Sequence, residues 1–315
     1  MGLKFAIVLG VVFASIPFFV DVATRAEFEV HTRGIVLVTG ASSGIGRDAC
    51  LHLAATTELT LFCTVRTAQG GEALLEASKG KVSPIILDVT KPEQIEAAVR
   101  ALEATGIPFV GLVNNAGVAP NGAVELMPLA EHRALFEVNY FGVLAVTQAL
   151  LPLLRASKGR VVTVGSIIGV LPASTGLSAY CASKQAIEAL TDALRQELAP
   201  HKVSVSLLEP GAVVSSLIVK GRALFKTRSV ENAELYDNVY GPNYAALLDE
   251  ISTKAEPPSS TTTPDIVHAL TSRFPQTRYK SANLNGLPSA YAARLFSLLP
   301  DRLADALAKL ALYGR

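Results

Sequence analysis

Neither sign of charge predominates in this sequence. Its 28 lysines and arginines stand against 27 aspartates and glutamates, a net charge of +1 over 315 residues. No basic run is dense enough to leave an electrostatic footprint for nucleic acid, so no such partner is expected. Cysteine is scarce, and Cys50, Cys63 and Cys181 form no CxxC pair and no metal spacing. An odd count without a framework reads as reduced thiols, which favours a cytosol-facing catalytic domain. His31, His52, His132, His201 and His268 are scattered without ligand spacing and read as surface or structural residues, so no metal is expected.

Apolar residues are abundant. They make up 50% of the chain, and the mean hydropathy of +0.37 is high for a soluble protein. Phe5 to Val20 is a run of 16 uncharged residues ended by Asp21. A bilayer span takes about 20, so the run needs Met1 to Leu3 and Val22 to Thr24 to reach that length. An uncleaved anchor is the first reading of residues 1–28. A signal peptide, against which stands the lack of a small-x-small cleavage site, and a buried or surface helix are the others. Lys4 before the run and Arg25 and Arg33 after it are too balanced to fix an orientation.

From residue 34 short β-branched runs alternate with helical patterns. Gly34–Thr39, Leu59–Val65, Val82–Leu87, Phe109–Val113, Gly159–Val164 and Lys202–Leu208 read as six strands. Ile45–Leu53 and Pro92–Ala104 read as helices, the second with proline in its first turn. Such alternation predicts right-handed crossovers and a parallel sheet covered on both faces, a doubly wound Rossmann fold of the α/β class. One catalytic domain is expected over residues 29–285. Pro257–Pro264 reads as a turn or surface loop, and residues 286–315 as two amphipathic helices, Ser289–Leu299 and Asp301–Leu312.

Thr39-Gly40-Ala-Ser-Ser-Gly44-Ile45-Gly46 lies between the first strand and the first helix. Glycines there permit a tight turn and close approach of a pyrophosphate to the helix N-terminus. Ser42 and Ser43 add hydroxyl donors. The second strand ends Cys63-Thr64-Val65-Arg66, with an arginine and no acid. A carboxylate would repel a 2′-phosphate and a guanidinium can pair with it, so NADP(H) is the expected cofactor, with NAD(H) as the alternative. A solvated surface charge is the other reading of Arg66. Asp88, followed by Val89, is placed for an adenine edge or for capping a helix.

Tyr180-Cys-Ala-Ser-Lys184 puts a phenol and an ammonium at i and i+4 on one helical face. A phenol titrating near 10 is a poor base at neutral pH, and a nearby cation favours its ionised form. Ser166 stands at the preceding strand end. With Thr39–Gly46, Asn114-Asn115-Ala116-Gly117, Asn139 and Pro210-Gly211, these motifs resemble the short-chain dehydrogenase/reductase family over residues 34 to about 215. The resemblance implies roles. Tyr180 would exchange the proton of the substrate oxygen while the nicotinamide exchanges hydride with its carbon. Ser166 would hydrogen-bond that oxygen, Lys184 would lower the phenol and hold the ribose, and Asn139 would hold a relay water. Pro210 and Gly211 would shape the nicotinamide pocket, Ser215 would stand where a threonine usually contacts the carboxamide, and Asn115 to Gly117 would line the adenosine side. The 14-position interval from Ser166 to Tyr180 is one or two longer than the family's, and Gly165 replaces a frequent serine.

Residues 216–256 should form the substrate loop. Its Leu217, Ile218, Val219, Leu224, Phe225, Tyr236, Tyr240 and Tyr244 either cover an apolar alcohol or simply pack on the core. Arg278-Tyr279 and Leu298-Leu-Pro-Asp301 are similar to the tail of the retinol and 17β-hydroxysteroid dehydrogenase branch, as are Tyr180-Cys181 and Glu209-Pro210-Gly211. That branch implies a lipophilic retinoid or steroid substrate, an endoplasmic reticulum membrane, and a tail resting on the bilayer. By analogy of fold, homodimers or tetramers form through the helices after Asn115 and around Tyr180. Two alternatives stand. One is a lipid-pathway reductase of 3-ketosphinganine or acyl-dihydroxyacetone phosphate, for which Lys220, Arg222, Lys226 and Arg228 would supply cations. The other is a non-catalytic NADPH sensor, which would need no Tyr180–Lys184 pair.

Overall fold

The computed structural model describes residues 26–171, 173, 176–231, 234, 255–284, 287–288, 298–300 and 302–307. Seven parallel strands form one sheet in the order β3-β2-β1-β4-β5-β6-β7. They are β1 (Ile35–Val38), β2 (Thr60–Val65), β3 (Val82–Ile86), β4 (Phe109–Asn114), β5 (Arg160–Val164), β6 (Ser204–Leu208) and β7 (Arg278–Tyr279). β1, β4, β5 and β6 are buried along their whole length, as a sheet covered on both faces requires.

Two helical layers supply the cover. Cys50 and Leu53 of α1 (Gly44–Thr56), Leu74 of α2 (Ala68–Ala77) and Ile266 and Leu270 of a later helix pack on one face. On the other face lie Ile95 and Leu102 of α3 (Pro92–Glu103), with Leu150 and Leu154 of α5 (Val143–Ser157) and Leu194 of α6 (Ser178–Leu198). α4 (Leu129–Phe136) runs into α5 through a wide π-helical turn, Glu137–Gly142. The joined helix, Leu129–Ser157, is the one helix among the described residues long and apolar enough to cross a membrane. It packs on β4, α3 and α6, so it is a core helix of the sandwich.

β1 pairs on one side with β2 (Val36↔Leu61) and on the other with β4 (Leu37↔Leu112). The winding reverses there, and the loops beyond the carboxyl ends of β1 and β4 part to leave a crevice.

The structure departs from the expectations at four places. Residues 257–264 form the expected turn only as far as Thr261: it leads directly into α8 (Thr262–Thr271), and Thr261, Thr262 and Thr263 are all buried. Polarity suggested a loop, but Thr263 Oγ1 donates to Asp48 of α1 at 2.5 Å, and that bond makes its burial tolerable. Cys50 and Cys63 are joined in a disulfide between α1 and β2, leaving Cys181 as the free, buried thiol. The reading of three reduced thiols therefore fails, and the cytosol-facing placement loses the argument it was built on. Spacing in sequence does not show that residues 13 apart lie on touching elements. Ser216–Glu231, expected as loop, is helix α7. β7 was not foreseen, because two residues carry no period; Leu207 and Leu208 hold it at the sheet edge. The apolar run before residue 26, Tyr236, Tyr240 and Tyr244, and most of the two C-terminal helices lie outside the described residues. Residues 302–307 are helical.

Candidate active site

At the crevice the chain turns sharply. Gly40 (φ +69°) and Gly44 (φ +57°) take left-handed conformations that side chains disfavour. A Cβ on Gly40 would lie 2.8 Å from Ala116 Cα, and one on Gly44 2.9 Å from Ser215 Cβ. Both glycines are thus demanded twice, by backbone angle and by packing. The turn is braced from below. Thr39 Oγ1 accepts from the amides of Asn115 (2.9 Å) and Ala116 (3.0 Å), and Asn115 Nδ2 donates to the carbonyls of Thr39 and Gly40. Thr64 Oγ1, a role the sequence did not signal, accepts from Gly40 N at 3.1 Å. Ser43 and Ser216 hydroxyls meet at 2.7 Å and close the turn against the start of α7.

Above this turn opens a cavity of about 980 Å³. Of the expected cofactor residues, Gly40, Ser42, Ser43, Gly44, Ile45, Arg66, Asp88, Val89, Asn115, Ala116, Gly117, Pro210, Gly211 and Ser215 line it. Thr39 and Gly46 do not. Thr39 is buried beneath, and Gly46 is packed so that a Cβ would fall 2.4 Å from Asn115 Nδ2. Arg66 stands exposed at the end of β2 near the Asp88 carboxylate. Burial pushes that carboxyl up. The two Thr90 hydrogen bonds, with Arg66 and Lys91, outweigh burial and hold it below its usual range. Asp88 therefore both orders the turn into α3 and faces the cavity; the helix cap itself is Lys91.

Ser166, Tyr180 and Lys184 converge on the same cavity. Ser166 follows β5, and its Oγ accepts from Ile168 N, which fixes the rotamer. Its hydroxyl also bonds the Tyr180 phenol. One helical turn on, Lys184 lies over the Tyr180 ring, its Nζ 5.7 Å from the centroid, and donates to the Val164 carbonyl at 2.8 Å. Burial raises the phenol to about 12 although the ring keeps partial access to the cavity; the Ser166 bond pulls the other way. Burial lowers Lys184 to about 8. At neutral pH the phenol thus holds its proton. That differs from a tyrosine lowered by its lysine, because burial outweighs the Ser166 hydrogen bond.

Asn139 is not at the cavity wall. It sits in the π-helical turn, 1% exposed, with Oδ1 accepting from Val118 N and Nδ2 donating to Val118 O, both at 2.9 Å. A third bond, to Ser183 Oγ at 3.1 Å, ties it to α6. Its side chain is fully engaged in joining the segment after β4 to α6. The rest of the cavity wall includes Val118, Leu135, Ile168, Leu177, Leu217 and Leu224, with Lys220 as a cation. The Ile218, Arg222, Phe225, Lys226 and Arg228 side chains lie outside the described residues.

Comparison with known proteins agrees with this geometry. The family model for short chain dehydrogenase matches residues 34–223. Mouse retinol dehydrogenase 16 is 34% identical over 284 residues, 86% of each chain. Bovine mitochondrial D-beta-hydroxybutyrate dehydrogenase is 32% identical over 260 residues, 78% of this chain and 75% of its own. A solved short-chain dehydrogenase from Streptomyces avermitilis superposes with a TM-score of 0.66 at 29% identity, covering 90% of this chain and 97% of its own.

Proposed function

The chain belongs to the short-chain dehydrogenase family and is an NAD(P)-dependent oxidoreductase acting on CH–OH groups. From that premise we propose that it interconverts a lipophilic alcohol of the retinoid or steroid kind and its carbonyl, using Tyr180 as proton donor and acceptor and NADP(H) as preferred cofactor.

The observation that carries the reading is the meeting of Ser166, Tyr180 and Lys184 at a cavity whose other end is the Gly40–Gly44 turn. The glycines are shaped for a group that brings oxygen atoms against backbone amides. A pyrophosphate at the start of α1 fits, with Arg66 and Ser42 beyond it for a 2′-phosphate. The bound nicotinamide would supply or accept the hydride. Tyr180 then delivers its proton to the carbonyl oxygen while Ser166 hydrogen-bonds that oxygen, and the Lys184 ammonium offsets the phenolate left behind. A phenol that keeps its proton to about pH 12 is prepared for reduction; oxidation needs the phenolate and should quicken as pH rises. Val118, Leu135, Ile168, Leu177, Leu217 and Leu224 suit an apolar substrate, and residues 1–28 as an anchor would hold the enzyme where such a substrate dissolves. Disulfides persist in oxidising compartments, so Cys50–Cys63 favours a catalytic domain on the lumenal side of the endoplasmic reticulum.

One observation favours a second reading. Lys220 lines the cavity, which suits an anionic ketone such as an acyl-dihydroxyacetone phosphate. The test is hydride transfer by the membrane-bound protein, with NADPH and with NADH, across all-trans-retinal, steroid ketones, 3-ketosphinganine and acyl-dihydroxyacetone phosphate. Turnover of retinal or a steroid, faster with NADPH, is the expected result. Turnover of the last two alone would transfer the protein to the lipid-pathway reading, and turnover of none would leave a cofactor-binding sensor.

A further inference from the structure

Behind the Tyr180–Lys184 pair lies a cluster of buried charge that the reaction as described does not use. Glu188 follows Lys184 by one turn of α6, and its side chain is 12% exposed. Its Oε2 pairs with Arg278 of β7 at 3.1 Å. Its Oε1 has no hydrogen-bond partner among the described residues. That oxygen lies against the turn that carries Ser166: Cβ atoms on Gly165 and Gly169 would stand 3.5 Å and 3.2 Å from it. The carboxylate is therefore held by one cation at its back and faces the catalytic turn with its other oxygen bare.

The elements around it bring the remaining charges. Glu209, fully buried after β6, pairs with Arg278 Nε at 3.0 Å and with Lys280 Nζ at 2.9 Å. Asp192, a further turn along α6, pairs with Arg278 at 2.8 Å and with Arg195. The turn Ile167–Gly169 brings no titratable side chain. On the active-site side, the acceptor the described residues offer Lys184 is one carbonyl, Val164 O. A buried ammonium with three protons and one neutral acceptor is costly to keep charged.

We propose that Glu188 is a positioning residue for the Tyr180–Lys184 pair, its buried carboxylate keeping the Lys184 ammonium charged within the pocket. Burial pushes Glu188 up to about 7, Glu209 adding to it and Arg278 opposing, while Lys184 sits near 8 with Glu188 holding it up against burial. In the interval above pH 7 the carboxylate is ionised and the ammonium is close to losing its proton, so one neighbouring charge decides which form prevails. The sign is fixed. Withdrawing the negative charge makes Lys184 lose its proton at lower pH, and the support of the tyrosine proton exchange goes with it. Gly165 belongs to the same turn, where a Cβ would meet Leu208 O at 3.0 Å and Leu207 Cδ1 at 3.1 Å and would stand between them and Oε1 at ordinary contact distance.

The inference rests on Tyr180 and Lys184 being the reacting pair. The experiment is therefore the pH profile of kcat/KM for NADPH-dependent reduction of all-trans-retinal, or of the ketone turned over in its place, by full-length protein. The variants are Glu188→Gln, Glu188→Asp, Asp192→Asn and Tyr180→Phe, each checked for folding by thermal unfolding. The alkaline limb should fall by about one pH unit in Glu188→Gln, a tenfold change in proton concentration. It should fall less in Glu188→Asp, which keeps a charge one methylene further back, and stay in place in Asp192→Asn. A folded Glu188→Gln with its limb where the wild type has it, whatever its rate, overturns the proposal. Should that variant not fold, an unmoved limb in Glu188→Asp overturns it equally. Undiminished turnover by Tyr180→Phe would instead overturn the reading of the pair itself, whichever way the Glu188 limb moves.

Discussion

At the scale of single residues, the proposed reacting groups were the most legible part of the sequence. A phenol and an ammonium at i and i+4, a serine at a strand end and glycines before a helix need little more than helical periodicity to be brought together. What sequence could not show was the effect of burial on them. The Tyr180 phenol rises to about 12, since loss of water around it outweighs the hydrogen bond from Ser166. Nor could a pattern show that Asn139 is wholly engaged with Val118 and Ser183, or that Thr64 holds Gly40; both are contacts between residues far apart in sequence. Arg66 carries the prediction at this scale. Its guanidinium at the cavity rim should contribute about 1.5–3 kcal/mol to a 2′-phosphate, the range for a hydrogen bond to a charged group. Arg66→Ala should therefore cut the NADPH-over-NADH ratio of kcat/KM by roughly 10- to 100-fold, with NADH kinetics nearly unchanged. Equal losses with both cofactors would mean that Arg66 acts on folding and not on the phosphate.

At the scale of elements, β1, β4, β5 and β6 were readable because each is buried along its whole length and so is rich in apolar residues, while the half-exposed β3 was readable from its apolar ends. The misreadings share one cause. Residues 257–264 looked like loop because threonine, serine and proline are polar or rigid, yet Thr262 and Thr263 are fully buried. β7 is too short for a pattern and exists because β6 offers a free edge. The Cys50–Cys63 pair depends on α1 folding back onto β2, a tertiary fact. The disulfide closes a short loop between the helix that starts at the glycine turn and the strand that ends at Arg66. On chain-entropy grounds such a loop contributes about 3 kcal/mol. Native protein unfolded in denaturant without reductant should present one reactive thiol, Cys181, and three after reduction. Cys63→Ser should lower Tm by several degrees. Three reactive thiols without reductant would show the bridge absent and remove the argument for a lumenal catalytic domain.

At the scale of the whole molecule, one sheet with a reversal of winding between β1 and β4 puts two independent demands at one place. The loop after β1 provides a turn too tight for side chains, and the ends of β4, β5 and β6 with α6 provide a proton donor, a hydroxyl and a cation. Neither half would suffice. A glycine turn alone binds a nucleotide, and a buried tyrosine alone exchanges no proton with anything. The central claim is that the two halves act together on one carbonyl, and a matched pair of proteins tests it most directly. Wild type and Tyr180→Phe, both membrane-bound, would be compared for NADPH binding by fluorescence titration and for NADPH-dependent reduction of a turned-over carbonyl such as all-trans-retinal. Binding should be nearly equal, while turnover by the variant should fall about 10²- to 10⁴-fold, the usual worth of a positioned acid. Turnover preserved in Tyr180→Phe, with NADPH bound as in the wild type, would contradict the account.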